Sequence, residues 1–263
     1  MNLVSENIHQ AVLTQAWHQN VMIGDPQLSK SQAEKVLAKW QHAGFWAHVS
    51  TALARLVMHL AVVVKMRRVK IEGLNHLPKD HRAIVVSNHF APLENLAVRK
   101  ALGNRCLFIV SELSNLAMRG VLGWLMRHAD TVPIAQDKHY LGREFLPELK
   151  RRLQKAPVLI YPEQALWLNF RKPRPGQRGA YYFAAKLQVP VISMFVTLDH
   201  QGISTVHILQ TLYPDPSLPA RAASLQMLAA DDRQRQVAFE KSYHTAYDLQ
   251  WDDADIVTPS KKA

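Results

Sequence analysis

The sequence predicts an α/β fold: a central, mostly parallel sheet flanked by helices, preceded by an N-terminal amphipathic helical element. Two observations predict the sheet. Short β-rich runs recur at 69–72, 83–87, 106–110, 131–134, 158–161, 191–197 and 205–210. Helical stretches near 93–102, 116–128, 141–154 and 178–187 separate most of them, and such alternation argues for parallel strands linked by helical crossovers. A third observation sets the N-terminal part aside, because the first 66 residues hold no such run and read as helical.

Ser29-x-x-Gln32 has the spacing of a capping box and opens a helix over 32–42, which Gly44 then breaks. In the next segment, 45–64, a helical reading places Trp46, Val49, Leu53, Leu56, Leu60 and Val63 on one stripe. His48, Thr51, Arg55 and His59 fall on the opposite stripe. An arginine at the centre of a membrane span costs roughly 2.5–3.5 kcal/mol on insertion scales, so a span is disfavoured. Two placements stay open: a surface helix with its apolar stripe on the core, or an in-plane membrane helix. The second also accounts for the basic flank Lys65, Arg67, Arg68 and Lys70. Farther on, 205–210 suits an edge strand, and Pro214, Pro216 and Pro219 set the start of a helix over 220–247. The organisation expected is a helical membrane-docking region over 1–66, an α/β domain over 67–250 and a loose tail over 251–263.

With 263 residues, 48% of them hydrophobic, the chain can bury one sizeable core. Its net charge of +11 calls for an anionic partner: nucleic acid, an anionic membrane surface or a phosphorylated substrate. A single cysteine, Cys106, excludes an internal disulfide, offers no metal-ligand pair and fits a reducing cytoplasm. No basic n-region precedes an apolar core at the start, so no secretory signal is expected. Gly-x-Ser-x-Gly, the elbow an esterase requires, does not occur. Neither does a helix-turn-helix, aromatic-glycine or zinc-ligand pattern of a nucleic-acid reader, so no nucleic-acid partner is expected.

Two motifs carry the chemistry. Ser87-Asn88-His89-Phe90-Ala91-Pro92-Leu93-Glu94 follows an apolar strand, with Pro92 suited to the first turn of a helix. His89 falls in the strand-to-helix turn and Glu94 in the helix's first turn. A carboxylate on one imidazole nitrogen fixes the tautomer and makes the other nitrogen a general base for an alcohol. An isolated His-x-x-x-x-Glu would more often be a loop histidine beside a capping glutamate. Here a second strand runs into Tyr161-Pro162-Glu163, followed by a loop with Arg171, Lys172, Arg174 and Arg178 among prolines and a glycine. Arginines in a shaped loop are suited to gripping a phosphate. In a parallel sheet both motifs reach one edge, where ligand crevices form.

Asn88-His89…Glu94, then Tyr161-Pro162-Glu163-Gln164, then Val189-Pro190-Val191-Ile192, resemble in order and spacing the glycerophosphate/lysophosphatidic acid acyltransferase superfamily, over roughly residues 70–200. The resemblance implies transfer of a fatty acyl chain from acyl-CoA or acyl-ACP to the hydroxyl of a lysophospholipid acceptor. It implies His89 and Glu94 as the catalytic pair and Asn88 and Glu163 at the substrate site. It further implies no metal, no cofactor beyond the thioester co-substrate, no acyl-enzyme, and peripheral attachment at the cytoplasmic face of the cell membrane. Three departures stand out. Glu94 replaces the family's aspartate, Gln136 replaces an expected arginine, whose charge Lys138 or Arg143 would supply, and Gln164-Ala165-Leu166 replaces Gly-Thr-Arg. Acylation of a glycolipid acceptor and a catalytically silent lipid binder on the same fold are the competing readings.

Overall fold

The computed structural model describes residues 3–24, 28–41, 44–80, 82–104, 106–135, 137 and 140–258. Its strands are β1 (Lys70–Glu72), β2 (Ile84–Val86), β3 (Phe108–Glu112), β4 (Thr131–Ile134), β5 (Val158–Ile160), β6 (Val191–Leu198) and β7 (Ser204–Ile208). They form one sheet in the order β1-β7-β6-β2-β5-β3-β4. Every neighbouring pair is parallel except β6 with β7. β2 and β5, read Ile-Val-Val and Val-Leu-Ile, are buried at every residue, as strands covered on both faces must be. The run expected to form an edge, β7, lies inside the sheet, because three-residue β1 pairs along its outer side from Lys70↔Thr205 to Glu72↔His207.

The helices are α1 (Leu3–Leu13), α2 (Lys30–Gln41), α3 (Phe45–Lys65), α4 (Glu94–Ala101), α5 (Leu113–Leu116), α6 (Gly120–His128), α7 (Leu146–Leu153), α8 (Gly179–Leu187) and α9 (Ala220–Tyr243). α7 follows a π-helical turn, Leu141–Phe145. The capping box forms, with Ser29 N–H donating to Gln32 Oε1 at 2.9 Å and Gln32 N–H reaching Ser29 Oγ at 3.4 Å. The helix expected over 116–128 begins only at Gly120, the first residue of α6, which sits at φ +70°, a left-handed conformation that glycine adopts without strain. α5 is a separate short helix before it. One face of the sheet packs on Phe145, Leu149 and Leu153 with Tyr181, Ala184 and Met227. The other packs on Phe90, Ala97, Val98 and Ala101 around α4.

The first and last described segments pack on each other and on the domain. In α1, Ile8, Ala11 and Val12 are buried in a cluster with Trp167 and Phe170. Residues 251–258 are fastened rather than loose. Trp251 stacks on His9 at 4.5 Å, Phe170 and Ile256 form a β-bridge, and Asp255 is fully buried. Buried ionic and aromatic partners outweigh the polar composition that suggested a free tail.

α3 is turned inside out relative to an ordinary surface helix. Trp46 is 77% exposed and Leu53, Leu56 and Leu60 are each above 50%, so the predicted apolar stripe faces outward. Ala54 and Val62 face the protein, and the polar stripe runs along the border of that contact. There the half-exposed Arg55 guanidinium donates to both Asp130 carboxylate oxygens at 2.6–3.0 Å and His59 Nδ1 meets Asn104 Nδ2 at 2.7 Å. α3 also packs on α4, and Lys100 Nζ donates to Met66 O at 2.7 Å and Val69 O at 2.9 Å.

Candidate active site

β2 emerges between β5 and β6, and the loop after it is fixed before the helix begins. The Asn88 amide is buried and closes a two-way clamp on β6, donating to Val196 O at 2.9 Å and accepting Val196 N–H at 2.8 Å. Asn88 therefore shapes the loop rather than offering a polar group to substrate. The His89 backbone is pinned on both sides: its N–H donates to Glu163 Oε2 at 3.2 Å and its carbonyl accepts Trp167 N–H at 3.0 Å.

Pro92 lies in a turn ahead of α4, whose first residue is Glu94. That turn brings side chains five positions apart into contact, which a continuous helix would separate. Glu94 Oε1 meets His89 Nδ1, and Oε2 accepts the Ala91 N–H. Glu94 is thus both the loop cap and the imidazole's partner. Its side chain is 1% exposed and that of His89 22%, so only the imidazole opens to solvent. With Glu94 ionised, Nδ1 carries the proton and Nε2 keeps a free lone pair.

The loop after β5 builds the floor. Glu163, 2% exposed, accepts from Arg174 N–H at 3.0 Å and pairs with the guanidinium groups of Arg174 and Arg235, each at 3.0 Å. Arg235 extends the network to Asp231 and Asp232 on its own helix. Glu163 is consequently the hub of a buried ionic network, and it holds the histidine's backbone rather than facing a ligand. Burial pushes Arg174 down to about 10 while Glu163 opposes the fall, leaving the guanidinium charged at neutral pH.

The phosphate grip expected from the basic loop does not form. Arg174 spends its guanidinium on Glu163, Trp17 O and the face of Trp167. Arg171 pairs with Asp255 at 3.3 Å and covers Phe239 and Tyr243. Lys172 is held by Asp248 at 2.8 Å and Asp255 at 3.0 Å. A cation buried against a carboxylate is not available to a ligand without a large penalty, so these three hold the loop and the C-terminal segment together. Arg178 is half-buried beside Tyr182, Arg143 is exposed, and Lys138 lies outside the described residues.

Two groups were not singled out from the sequence. Arg235 gave no local signal, since it comes from α9, 72 residues beyond Glu163. Tyr161, quoted only as part of its motif, stacks its ring on the His89 imidazole, with centroids 3.9 Å apart and planes 12° from parallel. Cys106 is no competing nucleophile, because burial and then Asp130 push its thiol up to about 11. A groove of about 990 Å³ between β7 and α9, lined by Lys70, His207, Arg233 and Lys241, includes neither His89 nor Glu94. Volume therefore does not mark the chemistry here, and the His89–Glu94 contact does.

Residues 68–197, which carry the His89–Glu94 contact after one central strand and Glu163 after its parallel neighbour, match the family model Acyltransferase. That stretch is thus matched to the acyltransferase family, and it resembles 1-acyl-sn-glycerol-3-phosphate acyltransferases. It is 28% identical over 148 residues to mouse (Mus musculus) 1-acyl-sn-glycerol-3-phosphate acyltransferase alpha, covering 55% of this chain and 50% of that protein. It is 27% identical over 146 residues to an uncharacterized acyltransferase of Schizosaccharomyces pombe, covering 54% and 52%. The chain thus spans about half the length of these curated relatives. The crystal structure of the 1-acyl-sn-glycerophosphate (LPA) acyltransferase PlsC from Thermotoga maritima shares the fold. Its TM-score is 0.54 at 14% identity, over 94% of this chain and 98% of that one.

Proposed function

We propose that this chain is an O-acyltransferase that moves a fatty acyl group from acyl-CoA or acyl-ACP to the hydroxyl of a 1-acyl-glycerol-3-phosphate-like lysophospholipid, in phospholipid biosynthesis or remodelling. The His89–Glu94 contact carries the reading. His89 Nε2 takes the acceptor's hydroxyl proton as its oxygen attacks the thioester carbonyl carbon. Glu94 steadies the imidazolium formed. Collapse of the tetrahedral adduct breaks the C–S bond, and the departing thiolate recovers the proton from Nε2. No acyl-enzyme, metal or cofactor enters this route. Among the described cations named from the sequence, Arg143 and Arg178 are the ones offered to the acceptor's phosphate.

Purified protein with radiolabelled acyl-CoA or acyl-ACP and a panel of lysolipids tests the reading. Ester formation on a lysophospholipid supports it, and preference for a glycolipid acceptor moves the substrate class. Lipid binding with no turnover under any donor leaves the silent lipid binder.

The enzyme docks peripherally on an anionic membrane at its cytoplasmic face. α3 is long and apolar enough to cross a bilayer, but its Arg55–Asp130 pair ties the polar stripe to the domain, which suits an in-plane helix. Removing an apolar side chain of this size from water contributes about 1.5–3 kcal/mol, and α6, beside α3, adds exposed Val121 and Leu122. Replacing Leu53, Leu56 and Leu60 with glutamate is expected to abolish vesicle sedimentation and leave the melting temperature nearly unchanged. High salt should weaken binding to anionic vesicles. Unaltered sedimentation of the triple variant would show that α3 is not the docking face.

A further inference from the structure

We propose that Tyr161 is a positioning residue of this reaction, its ring face seating the His89 imidazole while its hydroxyl tunes the Glu94 carboxylate. The inference rests on His89 acting as the general base.

One hydrogen bond cannot orient a ring. The contact between Nδ1 and Glu94 leaves the imidazole able to tilt about that axis, swinging Nε2 away from a bound hydroxyl. The Tyr161 face, 3.9 Å away and 12° from parallel, blocks the tilt from one side. Aromatic faces attract cations through their quadrupole, so the same contact favours the imidazolium that forms as the proton moves.

The hydroxyl is the second observation. Tyr161 Oη is sealed from solvent and makes no well-aligned hydrogen bond in this arrangement, an expensive state for a buried donor. The carboxylate of Glu94 acts on it nonetheless. Burial and then Glu94 hold the phenol well above its usual range, with Arg99 opposing. Each carboxylate oxygen has a lone pair beyond the one it uses, so Glu94 can accept this donor as the site adjusts around substrate. A phenylalanine would supply the face alone.

Other charged groups around the pair are set by the frame. Glu163 binds the His89 N–H, and Arg174 reaches the His89 carbonyl at 3.4 Å. Arg235 lies behind Glu163, and His18 reaches the Glu163 carbonyl at 3.4 Å. Arg99 is buried on α4, donating to Leu107 O at 2.8 Å. Substitution at Tyr161 leaves all of these in place, so a change in the pH profile reports the stacked ring or its hydroxyl.

Three variants test this, with His89→Ala as control, each read by kcat, both KM values, the pH profiles of kcat and kcat/KM, and the melting temperature. Tyr161→Leu removes the face, and kcat should fall about 10–100-fold, in the range that misplacing a reacting group costs. Both KM values should hold, and the acidic limb should move to lower pH. Tyr161→Phe keeps the face and fold, so it should recover most of the lost kcat. With no phenol sharing its charge in the substrate complex, Glu94 stabilises the imidazolium more strongly, and the acidic limb of kcat should move to higher pH. Wild-type kcat in Tyr161→Leu, with His89→Ala inactive, overturns the role of Tyr161 alone. A Tyr161→Phe kcat profile superimposing on wild type overturns the role of the hydroxyl. Normal turnover by His89→Ala removes the general-base reading instead.

Discussion

His89→Ala is expected to lose at least about 10²–10⁴-fold in kcat, the usual worth of a positioned general base, while remaining folded. Its side chain is the partly exposed member of the pair, and its backbone contacts to Glu163 and Trp167 survive the substitution. Glu94→Gln keeps the shape and removes the charge that steadies the imidazolium. It should impair kcat strongly, although the amide can still accept from one neighbour and fail the other. Glu94→Asp should retain measurable turnover, because the family's usual residue is aspartate. The double variant should be scarcely worse than His89→Ala, since groups acting as one unit fail together. Steady-state kinetics with circular dichroism decides the matter, and near-normal turnover in a folded His89→Ala protein would remove the mechanism.

Glu163→Gln is expected to cost stability first and activity second. Its carboxylate is the shared counter-charge of Arg174 and Arg235, all three almost fully buried. Breaking a buried pair by neutralising one partner typically costs about 3–5 kcal/mol, because the remaining charges have no compensation. For a chain of this size that corresponds to a fall in melting temperature on the order of 10 °C. Arg174→Ala should behave similarly, and also unseat Trp167 and the carbonyl contacts to Trp17 and Ala165. A Glu163→Gln protein with wild-type melting behaviour and a raised acceptor KM would return Glu163 to the substrate site.

The basic loop shows why a motif and its use are separate questions. Four cations within eight residues, interleaved with proline and glycine, have the composition of an anion site, and the loop does stand beside the histidine. Whether a guanidinium meets a ligand or a carboxylate depends on which acids fold against it. Asp248 and Asp255 come from the C-terminal segment, more than seventy residues farther on, and no local pattern announces them. The apolar stripe of α3 was equally legible and equally incomplete. Its period is written in the residues, but a stripe of that kind serves a core as well as a bilayer.

The chain's own pattern determined the strand and helix alternation, because burial on both faces demands continuous apolar runs and crossovers demand helices between them. It also determined the His89–Glu94 pair, since strand, proline turn and helix start lie within a dozen residues and act locally. Tertiary structure decided what depends on distant partners. It put β7 inside the sheet through pairing with β1, left the apolar stripe of α3 outward while Ala54 and Val62 packed inward and Arg55 met Asp130, and engaged Arg171, Lys172 and Arg174 with acids remote in sequence. It also laid the Tyr161 ring on His89 across two neighbouring strands. Local patterns are carried by backbone preference and periodicity, which a sequence displays. Pairings between remote side chains are settled by which surfaces exclude water from each other, and only the folded chain brings those surfaces together.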